Sequence, residues 1–163
     1  MAETTLSGPQ HQILENDYAS EWMGIEVLAL SDGHATIRMT LRQEMLNGFG
    51  MAHGGMIFAF GDTAFALACN PAEPAPGEEN NITVASGVDI NFLKPAFRGQ
   101  VLTAVADRRS SAGRSGLYDI QIFAADAGAT PDADARPGSL PSSGQPGELI
   151  AEFRGRSRTI PKK

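Results

Sequence analysis

Residues 47–70 read NGFGMAHGGMIFAFGDTAFALACN, and this stretch decides the fold. The pattern predicts a helix over about residues 55–69 that is apolar on every side, and such a helix is normally buried rather than amphipathic. Asp62 is the only acidic residue between Glu44 and Glu73. Because burying an ionisable carboxyl without a partner is costly, Asp62 in this run indicates a functional site.

The start of the predicted helix is flanked by glycines. His53, Gly54 and Gly55 stand where the first backbone N–H groups of a helix lack an intrahelical partner, and such groups can hold a developing negative charge. Glycine at position 54 also lets a carbonyl approach the backbone closely. A single buried acid and a glycine-flanked helix start therefore predict catalysis at this helix.

Bulk properties restrict the class of protein. The length of 163 residues suits one domain with a proper core, so we expect residues 1–163 to form a single domain. No apolar stretch reaches membrane-spanning length, and the N-terminus lacks the basic and apolar regions of a signal peptide. The single cysteine, Cys69, excludes an internal disulfide and is expected to be a buried small hydrophobe. These features predict a cytoplasmic protein.

The net charge of −6 argues against binding to nucleic acid, but the charge is unevenly distributed. Residues 1–93 hold two basic and twelve acidic side chains, whereas residues 94–163 hold eleven basic and seven acidic ones. The basic half could face a phosphorylated ligand, although each arginine could equally be a solvated strand end. The three histidines, His11, His34 and His53, are scattered without a cysteine partner, so no metal site is expected.

The flanking sequence predicts strands on both sides of the helix. A short helix is expected over residues 11–20, and a β-hairpin is expected from strands over 24–31 and 34–41. After a proline-rich loop over 71–81, four more strands are expected to form an antiparallel meander. They span residues 82–93, 100–109, 116–125 and 148–159. A curved sheet and a second subunit would together cover a helix that is apolar all round.

Two segments are expected to lie outside the packed core. Residues 1–9 are predicted to be a loose N-terminal tail. Residues 126–147 contain few large apolar side chains and cannot bury enough surface to offset the entropy of ordering. We expect this segment to be a flexible insertion between the last two strands, because the segment after it is too short to fold alone.

Several short motifs follow one another in a specific order. They are MLNG (45–48), HGGMIF (53–58), DTAFA (62–66), CN (69–70), VASG (84–87), FLKP (92–95), GLYDI (116–120) and FRGRS (153–157). With the order of elements, they resemble the hotdog fold, an α+β fold whose antiparallel sheet wraps around one long central helix. More narrowly, the chain resembles the acyl-CoA thioesterases of the phenylacetate pathway, the hydroxyphenylacetyl-CoA thioesterase type. The proline-rich loop and the insertion depart from that pattern.

The resemblance implies a role for each residue in the spacing Asn-(x)5-His-Gly-Gly-(x)6-Asp. Asp62 would activate a water as general base or attack the thioester carbonyl itself. The N–H of Gly54, or of the pair with Gly55, would donate to the thioester oxygen. His53 would bond the thioester or position the loop, and Asn47 would orient the water or the carboxylate.

Each of these residues also has a plainer interpretation. Asp62 could be the N-cap of a helix that begins at Thr63. The two glycines could form a simple helix-start turn, and His53 could be a satisfied loop histidine. Asn47 could be a turn residue, since Asn-Gly is a common turn pair.

The resemblance also implies an acyl-CoA substrate bound at a subunit interface. The acid and the His-Gly loop that act together would come from different subunits of a dimer or a dimer of dimers, a homotetramer. Gly55 and Phe58 are expected to line the substrate site, although Phe58, like Phe60 and Phe65, could instead be a core residue. Basic residues would contact the CoA phosphates. The basic candidates are Lys94, Arg98, Arg109, Arg114, Arg154 and Arg156. Arg114 is the first choice, because it lies in a Gly/Ser-rich turn.

The expected reaction is hydrolysis of aryl-acetyl or hydroxyphenylacetyl CoA thioesters to the free acid and CoA. No metal or organic cofactor, membrane or nucleic acid is expected to take part. Two alternatives stay open: a hotdog enoyl-CoA hydratase or acyl-carrier dehydratase, and a non-catalytic acyl-CoA-binding regulator. The His-Gly-Gly segment shortly before the aspartate favours hydrolysis over hydration.

Overall fold

The computed structural model describes residues 8–128 and 146–163. Most of the predicted tail (1–9) and of the predicted insertion (126–147) lies outside the described residues. The described elements begin with a 3-10 turn Gln12–Leu14, helix α1 Tyr18–Met23, strands β1 Glu26–Ser31 and β2 His34–Thr40, and a 3-10 turn Gln43–Met45. They continue with helix α2 Gly54–Cys69 and strands β3 Asn81–Phe92, β4 Val101–Ala112, β5 Ser115–Ala125 and β6 Glu148–Pro161.

The six strands form one antiparallel sheet in the order β1-β2-β4-β5-β6-β3. The predicted hairpin is confirmed as β1 and β2, and β4 to β6 form a meander. The predicted meander is wrong for β3, which pairs with β6 at the far edge. The connection after β3 crosses beside the start of α2, where the N–H of Ala52 donates to the carbonyl of Ala96 at 2.8 Å. The alternation of apolar residues predicts that a segment is a strand, but it does not predict which strand lies beside it in the sheet.

Helix α2 packs directly on one face of this sheet, and the predicted helix is confirmed one residue longer at its start. A Cβ added at Gly61 would lie 2.9 Å from the ring of Phe153 and 3.1 Å from the side chain of Ile122. A Cβ added at Gly155 of β6 would lie 2.8 Å from the ring of Phe65. Glycines at both positions therefore let the helix and the sheet come into contact, which fixes the rotation of α2.

The helix predicted over residues 11–20 is wrong as a single element. Asn16 has a positive φ of 60°, which interrupts the helix between the first 3-10 turn and α1. Asp17 then caps α1 by accepting a hydrogen bond from the N–H of Ser20 at 3.1 Å. The hydroxyls of Ser20 and Thr63 lie 3.0 Å apart, so α1 is attached to the middle of α2.

Candidate active site

Asp62 lies in the middle of α2 and is not a helix cap. His53 caps the helix, which rules out a helix that begins at Thr63. The Asp62 side chain is half-buried, and no described residue donates a hydrogen bond to its carboxylate. Burial, and secondly the negative charge of Asp17, raise the pKa of Asp62 above the ordinary aspartate value. The carboxylate is therefore a stronger base than an exposed aspartate.

The start of α2 offers one free backbone donor. The N–H of Gly55 donates to Nδ1 of His53 at 3.0 Å, so it is already satisfied. The N–H of Gly54, the first residue of the helix, has no acceptor within the described chain. Because Nδ1 of His53 accepts, a neutral ring carries its proton on Nε2. Of the two glycines predicted as oxyanion donors, Gly54 is the one whose N–H is free in the geometry of the described residues. The ring of His53 is held by the N–H of Gly55, so His53 can position the loop before α2.

Asn47 organises the loop that leads into α2. Its Oδ1 accepts from the N–H of Phe49 at 2.9 Å and from that of Met51 at 3.2 Å. The side-chain oxygen of Asn47 thus stabilises a turn, as the plainer interpretation of this residue predicted. The amide nitrogen has no partner among residues 8–128 and 146–163, so it remains available to a ligand. Its predicted role in orienting water stays a prediction.

An apolar cleft of about 350 Å³ opens beside Gly54. Ile57, Phe92, Leu93 and Pro95 contribute to its walls. The ring of Phe92 lies 3.3 Å from the position of a Cβ on Gly54, and Phe92 is 54% exposed. An apolar group bound here would place its carbonyl near the free N–H. Phe92 is not among the residues predicted for the site, because its only signal in the sequence is its place in the FLKP motif.

Asp62 and Gly54 are too far apart to act together within one chain. They stand eight residues apart on one helix, which corresponds to about 12 Å along its axis. Gly55, Asp62 and Ala66 nevertheless lie along one side of α2, which the sheet leaves uncovered. Phe58 borders this side, is 37% exposed, and packs its ring against Phe153 at a centroid distance of 5.4 Å. We call this side of α2, from Gly55 to Ala66, the open face.

Most of the predicted phosphate-binding residues already have partners. Lys94 forms an ion pair with a glutamate, and Arg98 donates to a glutamine at 3.2 Å. Arg154 and Arg109 share the carboxylate of Asp119, at 2.7 Å and 2.8 Å. These two guanidinium groups hold the pKa of Asp119 below its ordinary value. Arg109 and Arg154 therefore link neighbouring strands of the sheet, whereas Lys94 and Arg98 hold the connection after β3 in place.

Two of the predicted basic residues have uncommitted side chains. Neither Arg114 nor Arg156 forms a side-chain hydrogen bond or ion pair in the part of the chain that the structure describes. Arg114 lies in the β4–β5 turn, where its carbonyl accepts from the N–H of Thr159 at 2.8 Å. The guanidinium of Arg156 covers Gly87 of β3 so closely that a Cβ there would collide with it. These two side chains remain available to an anionic ligand.

The histidines lie in three separate places. His11 bonds the carbonyl of Asn70 at 2.9 Å, and His34 bonds Asp107 at 2.7 Å. His53 lies at the start of α2, away from the other two histidines. Among the described residues, no three His, Cys, Asp or Glu side chains come together so that they could hold a metal ion. Over the same residues, neither helix is long and apolar enough to cross a membrane.

The fold and the site define a class of protein. One antiparallel sheet packed on one long helix, with a half-buried carboxyl on the helix and an N–H at its start that is free within the described residues, is a hotdog-fold arrangement suited to attack on a carbonyl. The sequence profile of the thioesterase superfamily matches residues 49–130. The chain belongs to this superfamily and is a thioester hydrolase, as the resemblance implied.

Individual relatives agree with this family. The acyl-coenzyme A thioesterase PaaI of Escherichia coli (strain K12) is 40% identical over 112 residues, 69% of this chain and 75% of the relative. The solved structure of the E. coli PaaI protein from the phenylacetic acid degradation operon matches with a TM-score of 0.71 at 34% identity, covering 93% of this chain and 90% of that chain. A variant of the phenylacetic acid degradation protein PaaI from Thermus thermophilus matches with a TM-score of 0.65 at 25% identity, covering 87% and 98%.

Proposed function

We propose that this protein is a cytoplasmic acyl-CoA thioesterase that hydrolyses aryl- or phenylacetyl-type CoA thioesters to the free acid and CoA. The observation that carries the proposal is the half-buried carboxyl of Asp62, whose pKa is raised, on the open face of α2. The similarity to PaaI of E. coli, an acyl-CoA thioesterase from a phenylacetic acid degradation operon, supports the substrate class and a place in aromatic acid degradation.

In the proposed mechanism, residues of the site carry out the hydrolysis without a cofactor. Asp62 takes a proton from a water, and the water oxygen attacks the thioester carbonyl carbon. The carbonyl oxygen becomes an oxyanion that accepts a hydrogen bond from the N–H of Gly54. The C–S bond then breaks, and the CoA thiolate receives the proton that Asp62 had taken. Asn47, through its free amide nitrogen, orients the water.

Direct attack by Asp62 is the other form of this mechanism. The carboxylate would attack the carbonyl carbon and form an anhydride with the acyl group as the C–S bond breaks and the CoA thiolate leaves. Water would then open the anhydride at the carboxyl of Asp62, and its proton would go to the thiolate. A single turnover in oxygen-labelled water separates the two forms. General-base catalysis puts the label into the acid product in the first turnover, whereas the anhydride route delivers the unlabelled oxygen of Asp62.

The site is proposed to form between two subunits of a dimer or a dimer of dimers. The separation of about 12 Å between Asp62 and Gly54 along α2 means that one thioester needs each from a different helix. A second copy placed on the open face would cover the apolar side chains there. Mixing Asp62→Asn with Gly54→Pro tests this arrangement. Random reassociation should restore about one quarter of the wild-type activity, and no restoration would place both groups in one subunit.

The acyl group is proposed to lie in the cleft beside Gly54. A cleft of about 350 Å³ with apolar walls accommodates an aryl ring, and Phe92 offers an aromatic face to it, whereas Phe58 does not line this cleft. Gly54, and not Gly55, lines this cleft, and its lack of a side chain leaves room for the thioester.

A thiol-release assay over a panel of acyl-CoAs tests the function. We expect hydrolysis of phenylacetyl-CoA and hydroxyphenylacetyl-CoA at a higher kcat/KM than acetyl-CoA, and we expect Asp62→Ala to lose turnover on all of them. Loss of the enoyl absorbance of crotonyl-CoA would instead indicate a hydratase. Tight binding of phenylacetyl-CoA without thiol release over hours would indicate a non-catalytic regulator.

The CoA phosphates are proposed to contact Arg114 rather than the residues that already have partners. Arg114→Ala should raise KM for phenylacetyl-CoA several-fold while kcat is kept, as expected for about 1 kcal/mol of uniform binding. The phenylacetyl thioester of N-acetylcysteamine carries no phosphate, so its KM should not change. Equal KM values for CoA esters in both proteins would remove Arg114 from the site, with Arg156→Ala as the next variant.

A further inference from the structure

A chain of hydrogen bonds links the N-terminal helix to the catalytic turn of α2. Oδ2 of Asp17 accepts from the hydroxyl of Ser20 at 2.7 Å, and the Ser20 oxygen lies 3.0 Å from the hydroxyl of Thr63. Because the Ser20 proton is given to Asp17, the Thr63 hydroxyl donates to Ser20. Ser20, the central link of these hydrogen bonds, is only 1% exposed, and Asp17 and Thr63 are half-buried. Thr63 directly follows Asp62 in the sequence.

We infer that Asp17 is a positioning residue for Asp62: through Ser20 and Thr63 it fixes α1 against the turn of α2 that carries the catalytic carboxylate, and this attachment holds the negative charge of Asp17 close to that carboxylate. The inference rests on the proposed function, in which Asp62 is the base. It assigns a catalytic contribution to an element that, in the sequence, precedes all the motifs described above.

The charges around Asp62 support this role for Asp17. After burial, the charge of Asp17 is the second cause that raises the pKa of Asp62. The thiol of Cys69 faces Asp62 from the same helix, and burial raises its pKa to about 12, so it is neutral. Tyr118 is the titratable group of the sheet that packs against α2, through Phe65, and burial raises its pKa too. Asp17 is thus the ionised group that acts on Asp62 in the described chain.

Asp17→Asn removes the charge and leaves the hydrogen bonds in place. Asparagine caps helices as well as aspartate does, because its Oδ1 accepts from the N–H of residue 20. Its Nδ2 can donate to the Ser20 oxygen, whose proton then turns toward Thr63. The variant therefore tests the charge separately from the fold. Asp17→Ser, which also keeps an N-cap acceptor, serves if the asparagine variant does not fold.

The test is the pH profile of kcat/KM on phenylacetyl-CoA with the full-length protein. Loss of the Asp17 charge makes the Asp62 carboxylate easier to ionise, so activity should persist to lower pH in Asp17→Asn than in the wild type. Glu15→Gln is the matched control, since it removes one negative charge from an exposed residue two positions away. The fall of kcat/KM at low pH, which is the acid limb of the profile, should occur at the same pH in Glu15→Gln as in the wild type. A merely structural role for Asp17 would lower the rate without moving the limb.

Two results would overturn the inference. The first is an acid limb in both Asp17 variants that coincides with the limbs of the wild type and of Glu15→Gln. The second is a shift of the same size in Glu15→Gln, which would reflect net charge and not position. Asp62→Asn separates this failure from failure of the proposed function. If Asp62→Asn keeps its turnover, both the proposed function and the inference are wrong. If Asp62→Asn is inactive but the acid limb of Asp17→Asn coincides with that of the wild type, only the inference is wrong.

Discussion

The two sides of helix α2 have similar composition but different surroundings. On the side toward the sheet, Gly61 allows contact with Phe153, and Phe65 packs against the sheet with 1% of its surface exposed. On the open face, Asp62 is half-buried without a hydrogen-bond donor in the described chain, and Phe58 is 37% exposed. Close packing on one side fixes the helix, so that the incomplete burial on the other side can hold a reactive carboxylate at a defined place.

The largest effect is expected from Asp62→Asn on the open face. Removing the base should lower kcat/KM by roughly a hundred- to ten-thousand-fold, the usual contribution of general-base catalysis. Because the side chain contributes no packing on the sheet side, the fold should be kept. Thiol release and thermal unfolding, measured on the same preparation, check both halves of this prediction.

The stability of Asp62→Asn should also differ from the wild type in its pH dependence. The pKa of Asp62 is raised in the folded state, so its contribution to stability is fully present below the ordinary aspartate pKa and is lost as pH rises through the folded pKa. The asparagine variant does not lose stability in this way. As pH rises from the ordinary aspartate pKa to the raised pKa of Asp62, the Tm of the variant relative to the wild type should therefore increase. If the Tm of Asp62→Asn and the Tm of the wild type changed with pH in the same way, that result would contradict a desolvated carboxyl at position 62.

The next largest effect is expected from Gly54→Pro. Proline is well tolerated at the first position of a helix, and His53 before it already has an extended conformation (φ −64°, ψ 131°). The substitution removes the free N–H, which should lower kcat by on the order of a hundred-fold with a much smaller change in KM. Gly54→Ala is the control, since it adds a Cβ against Phe92 but keeps the N–H. Equal losses in the two variants would point to crowding and not to the donor.

A smaller effect, on stability alone, is expected from Gly61→Ala on the sheet side. Its new methyl group would lie within 3.1 Å of Phe153 and Ile122, so overpacking should lower the free energy of unfolding by about 1–3 kcal/mol. Gly55→Ala adds the same methyl group at an exposed position of the open face, where its neighbour is the His53 ring at 3.1 Å. Because the His53 side chain lies at the surface and can move aside, whereas Phe153 is buried, this variant should lose less stability. Urea unfolding of both variants measures the difference. Similar values would mean that the two sides of α2 are packed alike.

Sequence periodicity predicted α2 and the strands because apolar spacing directly reflects burial. It did not place β3, whose partner depends on the path of the following connection beside Ala52. The break before α1 depends on one positive φ at Asn16, for which the sequence carries only a weak signal. The distinction between Gly54 and Gly55 depends on where the His53 ring points. Asp17, in turn, lies near Asp62 only through the packing of two helices.

The smallest effect is expected at Cys69, near the C-terminal end of the open face. Burial raises the pKa of its thiol to about 12, in agreement with the prediction that it is not a nucleophile, although Cys69 is half-buried and not fully buried as predicted. At pH 8, four units below that pKa, about one thiol in ten thousand is ionised, so labelling by a disulfide reagent should be slow until urea is added. Cys69→Ala should keep turnover within about two-fold of the wild type. Fast labelling of the native protein would show that the open face reaches solvent further along α2, beyond the turn that carries Asp62.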